Sequence, residues 1–310
     1  MFSFAPTSVF ESSAPASVVA LGCFDGLHQG HAALLRRAKE QADILGLPLV
    51  IYSPETKKGQ ALLFTPTEKE RHLLAMGCER VILADFDHIR GMSATEFVDE
   101  ILCRQLNCRI AVCGFNFRFG NKASGDSRTL VALMRERGRD ALVQEPIYLQ
   151  GAPVSSSRIR SLLAKAEPVQ ASVLMGRPYS VEGRVEHGRA IGRTMGFPTL
   201  NLAFPKEKLI PHTGVYYVRV HTDNGVYAAI ANVGVRPTFS DRLSRPVLEA
   251  HLFDFSGNLY ETEVSVEFCS FLRPEKTFSD PQELAAAVQK DMAICRALAA
   301  SDPVLSKELS

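Results

Sequence analysis

Between residues 17 and 113 short apolar runs alternate with stretches of helical period, and their order predicts an α/β unit. Residues 17–22 (Ser-Val-Val-Ala-Leu-Gly) read as a buried strand. Leu34, Leu35, Ala38, Ala42 and Leu45 then recur at helical spacing up to Gly46, and 47–52 is again an apolar run. That succession is a βαβ unit, whose two strands run parallel. Further strand-like runs at 80–83 and 109–113, separated by helical patterns over 68–76 and 94–106, extend it into a parallel sheet covered by helices. The ligand site of such a sheet lies at the carboxyl ends of its strands.

After residues 161–167 the pattern changes. Runs at 215–220, 226–232, 247–253 and 263–268 are strand-like and closed by turn residues; in the last, Val264, Val266 and Phe268 alternate with polar positions. They predict a compact antiparallel β domain, sandwich or barrel. Residues 281–298 carry Leu284, Ala287, Val288, Ala293 and Leu298 between charges and read as one closing helix. Pro168 and Gly176-Arg177-Pro178 interrupt the pattern, which sets the boundary between an N-terminal domain over 1–170 and a C-terminal domain over 176–310.

Composition adds exclusions. A chain of 310 residues, 46% hydrophobic and 22% charged, can bury a core in each domain, which excludes a disordered or disulfide-framework protein. A net charge of +1 supplies no bulk field for nucleic acid or an anionic membrane, so neither is an expected partner; oligomerisation stays open. Seven cysteines, scattered without CxxC spacing, predict reduced thiols and a cytoplasmic location. The first twenty residues include Glu11, and no basic residue precedes Arg36, which fits neither a signal nor a transit peptide; no apolar run is long enough to span a bilayer.

The candidate chemistry starts where the first strand ends. Gly22-Cys23-Phe24-Asp25-Gly26-Leu27-His28-Gln29-Gly30-His31 leads into the first helix. Glycines allow close backbone approach, the helix N-terminus presents N–H groups and a partial positive charge, and His28 and His31 at i, i+3 can face one anion. A plain strand-to-helix turn with two capping or solvated histidines is the competing reading. The ten-residue string resembles the GxFDGxHxGH motif of the nucleotidyltransferase superfamily. Gly114-Phe115-Asn116-Phe117-Arg118-Phe119-Gly120 and Val154-Ser155-Ser156-Ser157-Arg158-Ile159-Arg160 are similar to the GxNFxFG and SSTxIR motifs of bacterial FAD synthetases. The resemblance implies that His28 and His31 engage ATP phosphates and that Gly22, Phe24, Asp25, Gly26 and Asn116 help to bind nucleotide or substrate. It makes Ser156, Ser157 and Arg160 a second phosphate clamp. The family's Pro-His-Pro segment is replaced by Pro54-Glu55-Thr56, so either Lys57 or Lys58 compensates or the adenylyl-transfer half is weakened, leaving a kinase alone.

A second string runs from Gly183 to Leu202, with further glycines at 188, 192 and 196. Its spacing matches neither GxGxxG nor a Walker A sequence, and a glycine-rich hairpin is the plain reading. It resembles the flavokinase motif GxVxxGxxxGRxxGFPTANL, and 231–239, 248–255 and 271–278 resemble that family's later motifs. With matches from Gly22 to Phe278, the chain resembles the bacterial bifunctional riboflavin kinase/FAD synthetases. The resemblance implies a Rossmann-like nucleotidyltransferase domain followed by a six-stranded Greek-key β-barrel with a C-terminal helix. The implied substrates are riboflavin, FMN and ATP, with Mg²⁺. It makes Glu249 the base for the riboflavin hydroxyl, although strand alternation alone would leave Glu249 on a solvated outer face. Thr199 and Asn201 become oxygen ligands for Mg²⁺. Gly183, Gly188, Gly192, Arg193, Gly196, Asn232 and Arg273 become binding residues, with His187 and Arg193 organising the loop. A flavin-sensing or RNA-interacting regulator is the alternative of another class.

Overall fold

Strand pairing sorts the apolar runs into one parallel and one antiparallel sheet. The computed structural model describes residues 14–54, 59–186, 199–235, 245–278 and 280–305, and its contacts separate a first unit, Met1–Ser156, from a second, Ser157–Ser310.

In the first unit, β1 (Ser17–Leu21), β2 (Leu49–Pro54), β3 (Arg80–Ala84), β4 (Cys108–Gly114) and β5 (Asp140–Gln144) form a parallel sheet in the order β3-β2-β1-β4-β5. The chain moves outward from β1 to β3 and returns to pair β4 with the other edge of β1, so a topological switch point lies beside β1. Alternate residues of each strand feed two cores. Val18, Ala20, Ile51 and Val112 pack with Leu34, Leu35 and Ala38 of α1 (Gln29–Leu45). Val19, Leu21, Val50 and Ala111 pack with Val98, Ile101 and Leu102 and with Leu130 and Met134 of α3 (Ser127–Glu136). Helix α2 (Pro66–Ala75), opened by the reciprocal Thr65–Glu68 capping box, closes the first layer through Leu73. Over residues 94–106 the expected helix is present, but Phe97–Gln105 follows π-type pairing. Strand β5 and helix α3 were not legible in the pattern. The strand is short and starts with Asp140, and the polar Ser127, Arg128 and Thr129 begin the helix.

The second unit differs from expectation at its start. Where Pro168 and Gly176 were read as interrupting regular structure, α4 (Ser156–Ala164) is followed by a further helix, α5 (Pro168–Met175). Proline at the first helical position removes only an N–H that has no intrahelical acceptor, and Gly176 ends the helix in the left-handed region at φ 77°. Strands β6 (Tyr179–Arg184), β7 (Leu200–Ala203), β8 (Gly214–Thr222), β9 (Gly225–Gly234), β10 (Val247–Leu252) and β11 (Glu263–Arg273) pair antiparallel in the order β6-β11-β8-β9-β10-β7. One bridge, Glu186 N–H to the Asn201 carbonyl at 2.9 Å, nearly closes this Greek-key barrel. Val181, Val218, Ala231, Leu248, Ala250 and Val266 fill the interior. Helix α6 (Pro281–Ala300) lies on the outside, where Cys295, Met292 and Leu298 pack with Tyr217, Phe253 and Ile230. All seven cysteines are free thiols.

Candidate active sites

The first candidate site is built on the connection from β1 to α1, at the switch point. Two non-glycine residues of this turn, Phe24 (φ 48°) and Leu27 (φ 39°), adopt left-handed backbone, a strain that tight surroundings must hold. Gly26 shares that region at φ 76°, and a Cβ there would come within 2.6 Å of Leu63 Cδ1. The buried Asp25 carboxylate accepts from the backbone N–H groups of Leu63 and Phe64, both at 3.0 Å. The Asp25 carbonyl accepts from Ser156 Oγ at 2.8 Å. The carboxylate bonds tie the turn to the segment that leads into α2.

His28 is the N-cap of α1. Its Nδ1 accepts from the His31 backbone N–H at 3.2 Å, which puts the proton of a neutral ring on Nε2. The two imidazoles stack with centroids 3.7 Å apart, and the Phe24 ring meets His31 edge-on at 5.3 Å. No acidic residue occupies the first turn of α1, so no carboxylate of that turn offsets the partial positive charge of the helix N-terminus. Phe24 itself is fully buried and acts as the floor beneath His31. Gly22 lies just before this turn, against the Phe24 ring. Asn116 is exposed in the turn after β4, with its Oδ1 packed against Gly114. Ser157 and Arg160 sit on α4, which the second unit contains from Ser157 onward.

Sequence reasoning missed two residues under the first turn. Lys69, on α2 and buried, places Nζ 3.1 Å from the Cys23 carbonyl and 3.2 Å from Ser53 Oγ, which also donates to Cys23 O at 3.1 Å. Lys69 stands in the charged run Glu68-Lys69-Glu70-Arg71, which reads as a solvated face, so little in the sequence marks it.

The second candidate site is a single row across the barrel. Arg273 is the register partner of Val215, Val215 of Asn232, Asn232 of Glu249 and Glu249 of Asn201. Directly paired positions share a face, so four residues assigned by resemblance come together from four strands, with β8 between. The row lies on the outer face, as alternation predicts for Glu249, since Leu248 and Ala250 point inward. It is not a solvated face. A cavity of about 310 Å³ lies between these strands and α6, lined in part by Thr199, Asn232, Glu249, His251, Arg273 and Asp291. Asn232 donates through Nδ2 to Glu275 Oε1 at 3.3 Å. Arg273 donates through Nε to Asp291 Oδ2 at 2.9 Å, and its Nη2 makes an ion pair with the same oxygen at 2.8 Å.

Gly183, on β6, packs its Cα against Leu202, leaving only 3.2 Å for an added Cβ. Gly188, Gly192, Arg193 and Gly196, with His187, Glu55, Lys57 and Lys58, lie outside the described residues. Asp291 was also missed, although it leaves a trace. It falls on the apolar stripe of α6 formed by Leu284, Val288, Cys295 and Leu298, a charge at a core position.

Comparison with known proteins agrees with this two-part reading. A family model for FAD synthetase matches residues 10–158, and one for riboflavin kinase matches 175–299. A protein of Pseudomonas fluorescens described as a bifunctional riboflavin kinase/FMN adenylyltransferase is 38% identical, over 91% of this chain and 93% of its own. A Bacillus subtilis protein of the same description is 32% identical, over 92% and 93%. A solved structure titled macrolide-efflux protein, from Streptococcus pneumoniae, superposes with a TM-score of 0.83 at 29% identity, covering 92% of this chain and 96% of that one. Among the described residues no helix is long and apolar enough to cross a membrane. With a 38% identical relative matched along nine-tenths of both chains, and both catalytic domains recognised in order, the chain belongs to the bifunctional riboflavin kinase/FMN adenylyltransferases.

Proposed function

We propose that the two activities use the two sites separately: riboflavin is phosphorylated at the outer row of the barrel with Glu249 as base, and FMN is adenylylated at the His28–His31 helix N-terminus. The two reactions make different demands. Riboflavin offers a neutral primary alcohol, whose proton must leave as the γ-phosphoryl arrives, so a placed carboxylate is needed. FMN attacks with an anionic phosphate, which needs no base; pyrophosphate leaves, and the step calls for charge stabilisation. The first site has N–H donors and two imidazoles at a helix terminus, whereas the second has a half-buried carboxylate on a cavity wall. The observation that carries the assignment is the Asn201–Glu249–Asn232 row, which fixes Glu249 between two amide side chains at the cavity.

The donors beside Glu249 fit a hard divalent cation. Thr199 and Asn201 offer neutral oxygens within two residues of each other, and Asn201 is paired in register with Glu249. Mg²⁺ held there would neutralise ATP phosphate charge near the carboxylate. We also place the enzyme in the cytoplasm, on the support of seven free cysteines, with small-molecule substrates and no nucleic-acid partner.

The test is Glu249→Gln, assayed separately for each step by chromatography. Riboflavin phosphorylation should fall about 10²- to 10⁴-fold, the contribution of a general base, while FMN is still converted to FAD. Unchanged kinase turnover would remove Glu249 from the mechanism.

A further inference from the structure

We infer that Asp291 is a positioning residue of the kinase site: through Arg273 it sets how tightly riboflavin is held, at the end of the cavity remote from Glu249. The inference rests on the assignment of riboflavin phosphorylation to this cavity.

Asp291 sits mid-helix on the side of α6 that faces the barrel and is 5% exposed. A carboxylate so buried is costly unless paired. Its Oδ2 accepts from Arg273 Nε at 2.9 Å and forms an ion pair with the same guanidinium, Nη2 lying 2.8 Å away. The third guanidinium nitrogen, Nη1, donates to the Pro274 carbonyl at 3.1 Å, and the guanidinium carbon lies 5.7 Å from the Phe278 ring centroid. A flexible, usually solvated side chain is thus held in one orientation by an acid on a different element. Both partners line the cavity.

Register fixes what Arg273 can reach. Three strand-to-strand steps separate it from Glu249 along the row, through Val215 and Asn232. At about 4.8 Å per step the path along the curved row is about 14 Å, and the contacts to Asp291 and the Pro274 carbonyl hold the Arg273 guanidinium at its far end. Arg273 is therefore placed for the part of the substrate remote from the reacting hydroxyl. Riboflavin is long enough to bring one end to each, with the ribityl hydroxyl at Glu249 and the ring system toward Arg273. A group that contacts the substrate far from the bond being made holds ground state and transition state alike, so its loss raises KM and spares kcat.

The experiment compares Asp291→Asn, Arg273→Gln and the double variant in the full-length enzyme. It uses steady-state riboflavin phosphorylation, riboflavin binding by flavin fluorescence quenching, and thermal unfolding. Asp291→Asn should raise KM and the riboflavin Kd together by about tenfold, with kcat changed less than about twofold. The double variant should bind no more weakly than Arg273→Gln alone, because Asp291 acts through Arg273. A loss of kcat at unchanged KM, or additive losses of binding in the double variant, would overturn the inference. If Asp291→Asn does not fold, Arg273→Lys keeps the charge without the planar guanidinium that Asp291 orients and must give the same KM effect. Glu249→Gln run in parallel separates the two readings. If it leaves kcat intact, the base assignment fails whatever Asp291 does, whereas a lowered kcat with an unmoved Asp291→Asn KM sinks only the positioning role.

Discussion

At the residue scale the two histidines of the first site have different tasks. His28 spends Nδ1 on capping α1, so replacing it removes both an N-cap and an anion donor, while His31→Ala removes a donor at little cost to the helix. His31→Ala should lower FAD formation from FMN by about 10²- to 10³-fold, the usual loss for one preorganised charge-stabilising donor, and leave riboflavin phosphorylation in place. Equal loss of both activities in the folded variant would contradict separate sites. Lys69→Met probes the support beneath the same turn. It deletes the ammonium bonded to Cys23 O and Ser53 Oγ, which stay bonded to each other, and should cost about 1.5–3 kcal/mol, the range for hydrogen bonds to a charged group. The measurement is the urea midpoint; an unshifted midpoint would mean the turn does not depend on Lys69. His28 and His31 were legible because their spacing at a helix start has chemical meaning. Lys69 was not, because burial of a lysine is decided by the turn it lies under, 46 positions back in the chain.

At the element scale, alternation named the correct face for Glu249 and was silent on what covers it. Period two separates Leu248 and Ala250 from Glu249 and His251, yet the covering helix begins some thirty residues later and its docking depends on tertiary packing. The end of that helix is tied down by charge. Asp302 accepts from Tyr217 Oη at 2.8 Å and from Arg219 Nη1 at 2.9 Å, and Arg219 Nη2 meets Glu267 Oε2 at 2.7 Å. Glu267 also pairs with His221 Nε2 at 3.1 Å. Burial alone would raise the Glu267 carboxyl, but its bonds to His221 and Arg219 hold it below the usual glutamate value. A folded pKa below the unfolded one contributes stability above the unfolded value, near 4.3, that is lost as pH falls through the folded pKa. The enzyme should therefore lose stability on acidification below about pH 4.3, and Glu267→Gln should be less stable at pH 7 with a flatter acid limb. Denaturant midpoints between pH 7 and pH 3 check this; parallel limbs for the two proteins would show that Glu267 is not linked to folding.

At the scale of the whole molecule, the order of a parallel unit before an antiparallel one was legible from the change of period, because each sheet type imposes its own pattern on every strand. The stretch joining them was harder to read. Its proline and glycine mark helix ends as readily as they mark a linker, and here they bound α5, whose Ala171, Leu174 and Met175 are buried. The preceding helix α4 is also joined to the second unit, by the His212 N–H to the Leu163 carbonyl at 3.0 Å. A fragment starting at residue 176 discards both helices. Losing Leu174 and Met175 alone removes about 1.5–3 kcal/mol each of apolar burial, a large part of a single domain's margin. The prediction is that residues 157–310, expressed alone, fold and form FMN from riboflavin and ATP, since Thr199, Asn201, Asn232, Glu249 and Arg273 all lie within them. Residues 176–310 should unfold at a clearly lower temperature or fail to fold. Circular dichroism melts and FMN formation measure both. If the longer fragment is folded yet makes FMN only when the N-terminal half is added back, the kinase site is not contained in the second unit, and the separation of the two activities fails.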